Sequence, residues 1–409
     1  MTIADLNPFD LDVLEDPYDL YTQLRQSSPV HSIPDMGLYL VTRYADVRDA
    51  ATRHEEFSSN LTALVMTNAQ QTEQVAPQLV EMDAGVDAVD VLATADPPHH
   101  PRQRKVVART FRAIEDSEPL MRELVDDMLA PMVEAGSCEL MGDFANWVPV
   151  KVIAAVLGLP DSDVERIQRG ADSGVELLSG VTPPETMATC IEAVIDFYAY
   201  IDGHVVNGGT TAPDRLLGVL ARAVEEGVVS HAEATAMALQ IVIAGSDSTG
   251  NLIGSAVRLL AEHPDVQERV RAEPALLTTY LEEVLRIESP FRGHFRVATR
   301  DARLGDTDIP EGARLFLMWG SANRDPEVFD QPDEIRLDRP NANDHVGFGW
   351  GIHRCVGAPL ARLEARVAVE RLLARTSHIA PTAGAPAPGH IPSMLVRRLS
   401  HVHLDLRAV

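Results

Sequence analysis

The spacing of apolar residues predicts a mainly helical chain with a small amount of sheet. Beyond residue 52, most apolar residues recur at three- and four-residue spacing, which is typical of helices. Short alternating apolar runs flank Gly37 within 29–51 and predict a small hairpin. Near the C-terminus, 382–393 is predicted to be a loop, and alternation over 401–406 predicts a final strand.

One predicted helix is much longer than the others. Ser230 and Glu233 have the spacing of a capping box, so the helix is predicted to begin at Ser230. Apolar character continues to Leu260, and His263 followed by Pro264 predicts the end. About 30 residues at 1.5 Å each make a helix of roughly 45 Å. A helix of this length that is apolar on several sides is typical of a buried central element.

Composition excludes some classes of partner and location. The formal net charge of -26 opposes binding to nucleic acid, which is itself a polyanion. The three cysteines, Cys138, Cys190 and Cys355, cannot form a disulfide framework, which is typical of a reducing cytoplasm. No apolar run approaches the roughly 20 residues that span a bilayer, and we identify no signal peptide. The sequence therefore predicts a cytoplasmic protein without a membrane span.

The stretch FGWGIHRCVG, residues 348–357, places a rare cysteine in a glycine-rich loop. Apolar residues at helical spacing follow it, so a helix is predicted to begin just after Cys355. Free N–H groups and the helix dipole at such a position favour a thiolate over a thiol. The glycines allow the backbone to approach a bulky group closely.

Three roles for Cys355 follow from the residues alone. It is a buried small apolar residue, a nucleophile paired with His353, or a metal ligand. A catalytic cysteine and histidine usually come from distant segments, which disfavours the second role. One thiolate is insufficient for zinc but sufficient for haem, because the porphyrin supplies four other ligands.

The loop resembles the signature of cytochrome P450 enzymes. Phe348, Gly351, Cys355 and Gly357 reproduce its phenylalanine–glycine–cysteine–glycine spacing, and His353 also matches soluble bacterial members. The resemblance implies that Cys355 is the thiolate ligand of haem b iron. It also implies that His353 binds a haem propionate and that Phe348 packs beside the sulfur. The likeness spans almost the whole chain, from an opening helix at 15–25 to the tail.

A second motif lies in LEEVLRIESP. Glu283 and Arg286 are three residues apart on one face of a predicted helix, a spacing that by itself is typical of a weak surface ion pair. The segment resembles the glutamate–arginine motif of the same family. The resemblance implies a buried network with Arg339 that supports the cysteine loop, although Ile335 stands where the family usually has an aromatic residue.

A basic segment follows the Asp96-Pro97-Pro98 turn. His100 and Arg104 are one helical turn apart and by themselves would be typical of a solvated basic face. The segment resembles the propionate-binding helix of cytochrome P450 enzymes. The resemblance implies that His100, Arg104, Arg296 and His353 together bind the two haem carboxylates.

The long helix carries a polar run at 244–250, AGSDSTG, inside an otherwise apolar pattern. A local kink with satisfied polar groups is one explanation. The resemblance implies instead an oxygen-binding groove in which Asp247 and the Ser248 hydroxyl relay protons. The family usually has threonine directly after the acid, so Thr249 is the alternative hydroxyl.

The resemblance also implies the fold and the reaction. We expect a single domain over 1–409 with the mainly α cytochrome P450 fold and a β-rich part at about 30–60 and 290–320. The expected activity is a monooxygenase that inserts one oxygen atom of O2 into a hydrophobic small molecule, by hydroxylation or oxidative demethylation. The expected pocket residues include Leu61, Leu64, Met66, Ile243, Ala244, Phe291, Gly293, His294, Phe295, Met394 and Leu395.

Electrons are expected to come from a separate protein, because the sequence has no flavin or iron–sulfur motif. The resemblance implies a small acidic [2Fe–2S] ferredoxin with an NAD(P)H-dependent reductase. A basic docking patch is predicted from Arg102, Arg109, Arg112, Arg354 and Arg362. The alternative functions are a haem-thiolate peroxygenase or dehydratase and a non-catalytic haem-binding protein.

Overall fold

A computed structural model describes residue 8 and residues 10–60, 89–112, 114–211 and 213–409. The expected pocket residues Leu61, Leu64 and Met66 lie outside this part of the chain, as does the side chain of Arg112. Within the described residues, no helix is both long enough and apolar enough to cross a bilayer.

Helices make up most of the described chain, as the apolar spacing predicted. They are α1 Leu11–Glu15, α2 Tyr18–Ser27, α3 Tyr44–Thr52, α4 His99–Arg112, α5 Glu118–Ala135, α6 Trp147–Leu157, α7 Val164–Leu177, α8 Pro184–Thr211, α9 Leu216–Glu225, α10 His231–Glu262, α11 Pro264–Ala272, α12 Leu276–Glu288, α13 Trp319–Ala322 and α14 Ala358–Arg375.

The strands are short. They are β1 Val30–Ile33, β2 Leu38–Val41, β3 Phe57–Ser58, β4 Ser137–Glu139, β5 His294–Ala298, β6 Ala302–Leu304, β7 Thr307–Ile309, β8 Arg314–Leu317, β9 Thr376–Pro381, β10 His390–Ile391, β11 Arg398–Leu399 and β12 His403–Ala408.

Four small sheets form from these strands among the described residues. The largest has the order β1-β2-β8-β5-β3, so it joins the two segments that the sequence assigned to the β-rich part. Its β1–β2 pair is antiparallel around Gly37, which has a φ of 55°, and the predicted hairpin is confirmed. The predicted single-domain organisation over 1–409 stays a prediction.

The C-terminal segment differs slightly from its prediction. The expected loop at 382–393 contains the short strand β10, which pairs with β11. The final strand, β12, is confirmed but lies two residues later than the alternation indicated. It pairs with both β4 and β9, so partners far away in the sequence set its bounds.

The central helix α10 confirms the predicted start and length. The Ser230 hydroxyl accepts the Glu233 N–H at 3.1 Å, and the Glu233 carboxylate accepts the Ser230 N–H at 2.7 Å. The helix packs against α6, α7, α8 and α14. A Cβ at Gly254 would lie 2.4 Å from the sulfur of Met141, which shows how closely this helix is surrounded. The helix is continuous through 244–250, and the Ser246 and Ser248 hydroxyls donate to the carbonyls of Val242 and Ala244 at 2.8 and 2.7 Å.

Replacing Ser230 with alanine tests the capping box. The variant leaves the Glu233 N–H without its acceptor, and we expect the free energy of unfolding to fall by about 1 kcal/mol. Urea unfolding followed by circular dichroism measures the change. Ser230→Asp retains an acceptor oxygen and serves as the control. An equal loss in both variants would show that the cap is not the cause.

Candidate active site

The cysteine loop, residues 348–357, is shaped by its glycines and closed by backbone hydrogen bonds. The Cys355 N–H donates to the Phe348 carbonyl at 2.8 Å. Gly351 has a φ of 71°, and a Cβ there would lie 2.5 Å from the carbonyl oxygen of Ala51 in α3. Only glycine combines this backbone conformation with so close an approach. The loop therefore presents Cys355 in one fixed position, just before α14.

The charge on the Cys355 sulfur depends on opposing effects. Burial of the site raises the pKa of the Cys355 thiol, while the N–H groups of Gly357 and Ala358 and the positive charge of Arg104 act to lower it. The donors expected from the start of a helix are thus present around the sulfur. In the protein by itself, burial outweighs them.

Two neighbouring carboxylates on α12 hold the segments around this loop. The Glu283 carboxylate accepts from Arg286 at 2.7 and 3.0 Å and lies 2.9 Å from the guanidinium of Arg339. All three side chains are buried. Arg286 also donates to the carbonyls of Pro332 and Glu334, so the motif is tied to the loop that precedes the cysteine loop. The structure therefore brings together the three residues predicted for this network.

The neighbouring Glu282 binds both sides of the cysteine loop, and sequence reasoning missed it. Its carboxylate accepts from Arg362 in α14 at 2.6 and 2.8 Å. It also lies 3.0 Å from Nε2 of His345, three residues before the loop. The Arg362 guanidinium lies 4.5 Å from the centre of the Phe348 ring. The repeated acid in LEEVLRI was the available signal, but nothing local identified its partners.

A large cavity separates the cysteine loop from the central helix. Its walls come from α4, α10, α14, β5, the cysteine loop and nearby loop segments. The lining residues that enter the chemistry below are Leu92, His100, Arg104, Gln240, Ala244, Ser248, Thr249, Phe291, His294, Arg296, Phe348, His353, Cys355, Gly357 and Glu364. Cys355 and its loop therefore share one cavity with the polar run of α10.

The four residues predicted to bind carboxylates line this same cavity. The rings of His100 and His353 are 4.4 Å apart between centroids. Both ring nitrogens of His353 are buried and have no hydrogen-bond partner among the described residues. Burial lowers the pKa of His353 to about 2, and the charges of Arg296 and His100 act in the same direction. In this group Arg104 and Arg296 carry the positive charge, while the two histidine rings offer hydrogen-bonding nitrogens.

Ser248 and Thr249 lie on the cavity wall, whereas Asp247 does not. The Ser248 hydroxyl donates to the Ala244 carbonyl at 2.7 Å. The Asp247 carboxylate instead contacts Arg398 of β11 at 3.1 Å. At about 100° per residue, Asp247 is roughly 160° round the helix from Thr249, so the two cannot face the same wall. Helix geometry alone was a sufficient signal for this separation.

The predicted pocket residues divide into two groups. Ala244 and His294 line the cavity, as does Phe291. The others lie elsewhere. Ile243, Phe295 and Leu395 belong to an apolar cluster around Tyr21 and Phe316, Met394 packs beside Gly180, and Gly293 packs against Leu317 of β8.

Strand geometry explains why Phe295 does not line the cavity. Successive side chains of a β-strand point to opposite faces. His294 and Arg296 of β5 line the cavity, so Phe295 between them packs on the other face, with its ring centroid 4.8 Å from that of Phe316.

Comparison with known proteins identifies the family. The chain is 40% identical over 411 residues to cytochrome P450 144 of Mycobacterium tuberculosis. The aligned region covers 100% of this chain and 93% of that protein. The chain belongs to the cytochrome P450 family. The family model for cytochrome P450 matches residues 211–401. The expected family and enzyme class, a cytochrome P450 monooxygenase, are thereby confirmed.

Solved cytochrome P450 structures show the same fold. The chain superposes on cytochrome P450 CREJ in complex with (4-ethylphenyl) dihydrogen phosphate with a TM-score of 0.88 and 26% sequence identity. The superposition covers 99% of this chain and 100% of that chain. It superposes on the tirandamycin C-bound P450 monooxygenase TamI with a TM-score of 0.84, at 30% identity and coverage of 98% and 99%. The expected mainly α cytochrome P450 fold is confirmed.

Membership of this P450 family implies a haem cofactor, and the cavity has a suitable set of donors. A buried imidazole without a partner, two nearby arginines and a second histidine suit the two carboxylates of a haem. A cysteine sulfur in the same cavity suits its iron.

The cavity also contains Glu364, which sequence reasoning missed. Its Oε2 has no hydrogen-bond partner among the described residues, and burial raises its pKa well above the usual range.

The contacts of Glu282 with Arg362 and His345 make the stability of this P450 depend on pH. Burial acts to raise the pKa of Glu282, but hydrogen bonds from Arg362 and His345 outweigh it and hold the pKa at about 2. The stabilisation is therefore fully present above the usual pKa of about 4.3 and is lost as the pH falls from there towards 2.

We expect Glu282→Gln to lower the free energy of unfolding by about 2 kcal/mol at pH 7, because Arg362 loses a charged acceptor. The deficit relative to the wild type should shrink as the pH falls from about 4.3 towards 2, because the carboxyl of the unfolded wild type takes up a proton there while that of the folded protein stays ionised. Denaturant unfolding at a series of pH values measures both. Glu370→Gln, at a partly exposed ion pair with Arg122, is the matched control and should lose less stability than Glu282→Gln. A deficit that is constant with pH would contradict the assignment.

Proposed function

We propose that this cytochrome P450 uses haem b, bound through Cys355, to insert one oxygen atom of O2 into a hydrophobic small molecule by hydroxylation or oxidative demethylation. The observation that carries the proposal is that the Cys355 sulfur lies in one cavity with two guanidinium groups and two imidazole rings, those of Arg104, Arg296, His100 and His353. Thiolate-ligated haem supplies the activation of O2 when it is bound. The residues of the chain bind the haem, orient the substrate and deliver protons.

Four side chains would hold the haem carboxylates in this proposal. His100 and Arg104 of α4, Arg296 of β5 and His353 of the cysteine loop line the same cavity. Burial lowers the pKa of Arg296 to about 10, so the guanidinium still carries its charge at neutral pH. Phe348, Gly351 and Gly357 would shape the loop around the sulfur.

The substrate would bind against the wall formed by α10, β5 and the 89–95 segment. Ala244, Phe291 and Leu92 give this wall an apolar character, and Gln240 and His294 add polar side chains to it. Burial lowers the pKa of His294 to about 4, so it is uncharged at neutral pH. An apolar wall with few polar groups favours a hydrophobic substrate.

Protons would be delivered from α10. The hydroxyls of Ser248 and Thr249 border the cavity, and the Asp247 carboxyl lies on the opposite side of the helix. Burial raises the pKa of Asp247 to about 6 although Arg398 acts to lower it. A carboxyl with a pKa near neutrality both holds and releases a proton at working pH, which suits a relay.

Replacing Cys355 with alanine tests the proposed function directly. We expect the reduced, CO-treated protein to lose the red-shifted Soret band that marks thiolate ligation, and product formation with NAD(P)H, ferredoxin and reductase to disappear. Cys190→Ala in α8 is the control and should match the wild type. A wild-type spectrum in Cys355→Ala would refute the proposal. Product formed with hydrogen peroxide alone, and not with the ferredoxin system, would favour the peroxygenase alternative.

The electron donor is proposed to be a small acidic ferredoxin that docks near the cysteine loop. Of the predicted patch, Arg109 and Arg354 are exposed. Arg102 donates to the Val228 carbonyl at 2.8 Å, and Arg362 is bound by Glu282, so these two are already engaged. The exposed pair would attract an acidic partner to a protein whose net charge is otherwise -26.

We expect Arg109→Glu with Arg354→Glu to slow reduction by ferredoxin about tenfold at low salt, because the long-range attraction is lost. The dependence of the rate on salt should flatten as well. Stopped-flow reduction at several ionic strengths measures both. The double variant Arg300→Glu with Arg407→Glu carries the same charge change on exposed residues of other elements and should behave like the wild type. Equal rates in the two double variants would exclude this docking surface.

A further inference from the structure

Arg398 connects the proposed relay carboxylate to a different helix. Its Nε lies 3.1 Å from Oδ1 of Asp247 in α10, and its Nη1 lies 3.1 Å from Oε2 of Glu176 in α7. Residues 176, 247 and 398 are far apart in the sequence, and only the fold brings them together. One guanidinium therefore serves two carboxylates at the same time.

The backbone around Arg398 is fixed against α10. Asn251, one turn after Asp247, accepts the Leu399 N–H with its side-chain oxygen at 2.6 Å. Its amide nitrogen donates to Oδ2 of Asp247 at 3.1 Å and to the Asp247 carbonyl at 2.8 Å. Asn251 thus bonds both to Asp247 and to the residue after Arg398. It thereby fixes the position of Arg398 relative to Asp247 where β11 packs on α10.

Exposure increases from the relay carboxyl towards α7. The Asp247 side chain is 9% exposed, that of Arg398 is 12% exposed and that of Glu176 is 27% exposed. The cluster therefore extends from the buried side of α10 to a residue that contacts solvent. A change at Glu176 is transmitted to Asp247 through a single shared side chain.

Carboxylates outnumber cations in this cluster. Asp172, also on α7, adds a third carboxylate that acts on both Asp247 and Arg398. Burial raises the pKa of Asp172, and a hydrogen bond from Gln168 at 2.8 Å acts in the opposite direction. Among the described groups that act on Asp247, Arg398 is the cation, so its position decides how strongly the ionised form of Asp247 is stabilised.

We propose that Arg398 is a positioning residue for the relay: it fixes the orientation of the Asp247 carboxyl beside β11, and Glu176 of α7 competes for the same guanidinium. This proposal rests on the proposed relay role of Asp247. When Arg398 moves towards Glu176, its hold on Asp247 weakens. When the Glu176 contact is lost, the hold strengthens. The protonation of Asp247 is therefore coupled to the position of α7.

Two substitutions with opposite expected effects test the coupling. Arg398→Gln removes the cation that stabilises ionised Asp247, so its titration midpoint should rise by about one pH unit or more. Glu176→Gln removes the competing carboxylate, so the midpoint should fall. Arg398→Lys keeps the charge and should remain nearer to the wild type than Arg398→Gln.

The readout is an infrared pH titration of the carboxylic acid C=O band in the haem-loaded protein. The Asp247 band is assigned by its absence in Asp247→Asn. Arg166→Gln, which removes an ion pair with Asp196 on the exposed side of α7, is the matched control and should leave the midpoint unchanged. Because Glu176 is partly exposed, Glu176→Gln decides the question if Arg398→Gln does not fold.

Midpoints that do not move, or that move in the same direction in Arg398→Gln and Glu176→Gln, would overturn the proposal. A second measurement separates the role of Arg398 from the proposed relay role of Asp247. It is the amount of product formed per NAD(P)H consumed, determined at several pH values. If Asp247→Asn leaves this ratio at the wild-type value, the relay role fails. If Asp247→Asn lowers the ratio but the infrared midpoints are unchanged in both other variants, the relay role stands and the role of Arg398 fails.

Discussion

The buried carboxylates of Glu282 and Glu283 are the constraint on which the rest of the site depends. They are adjacent on α12, yet their partners lie on different segments: Glu283 binds Arg286 and Arg339, whereas Glu282 binds Arg362 and a histidine before the cysteine loop. A buried charge without a partner is strongly destabilising, so the loss of any of these partners would lower the stability of the fold. The two acids therefore fix the loops before and after Cys355 relative to one helix.

The charge distribution of the protein is inverted inside the cavity. The chain carries a formal net charge of -26, but the polar groups near Cys355 are mostly arginine and histidine. Both ring nitrogens of His353 are buried without a hydrogen-bond partner among the described residues, and Arg296 is almost completely buried. Burying like charges together is unfavourable unless an anion joins them. An anionic group that binds here would stabilise the fold as well as occupy the site.

The polar run of α10 is divided by the geometry of the helix. Ser248 and Thr249 face the cavity, and Asp247 faces Arg398 on the other side. This division keeps a charged carboxylate out of an apolar cavity, where it would be costly. It also leaves the carboxyl in contact with Arg398 of β11, which in turn contacts Glu176 of α7. The chemistry of the cavity is thus linked to the packing of distant elements.

The sequence by itself determined the family, the cysteine loop, the bounds of the central helix and the presence of a small hairpin. These features depend on residues close together in the chain, whose spacing sets local geometry: the Ser230–Glu233 capping box is one example, and the positive φ of Gly351 is another. The tertiary structure alone decided that Glu282 binds Arg362 and that Asp247 binds Arg398. Such pairs are separated by up to 151 residues. Their contacts follow from how helices and strands pack together, and local spacing carries no information about that.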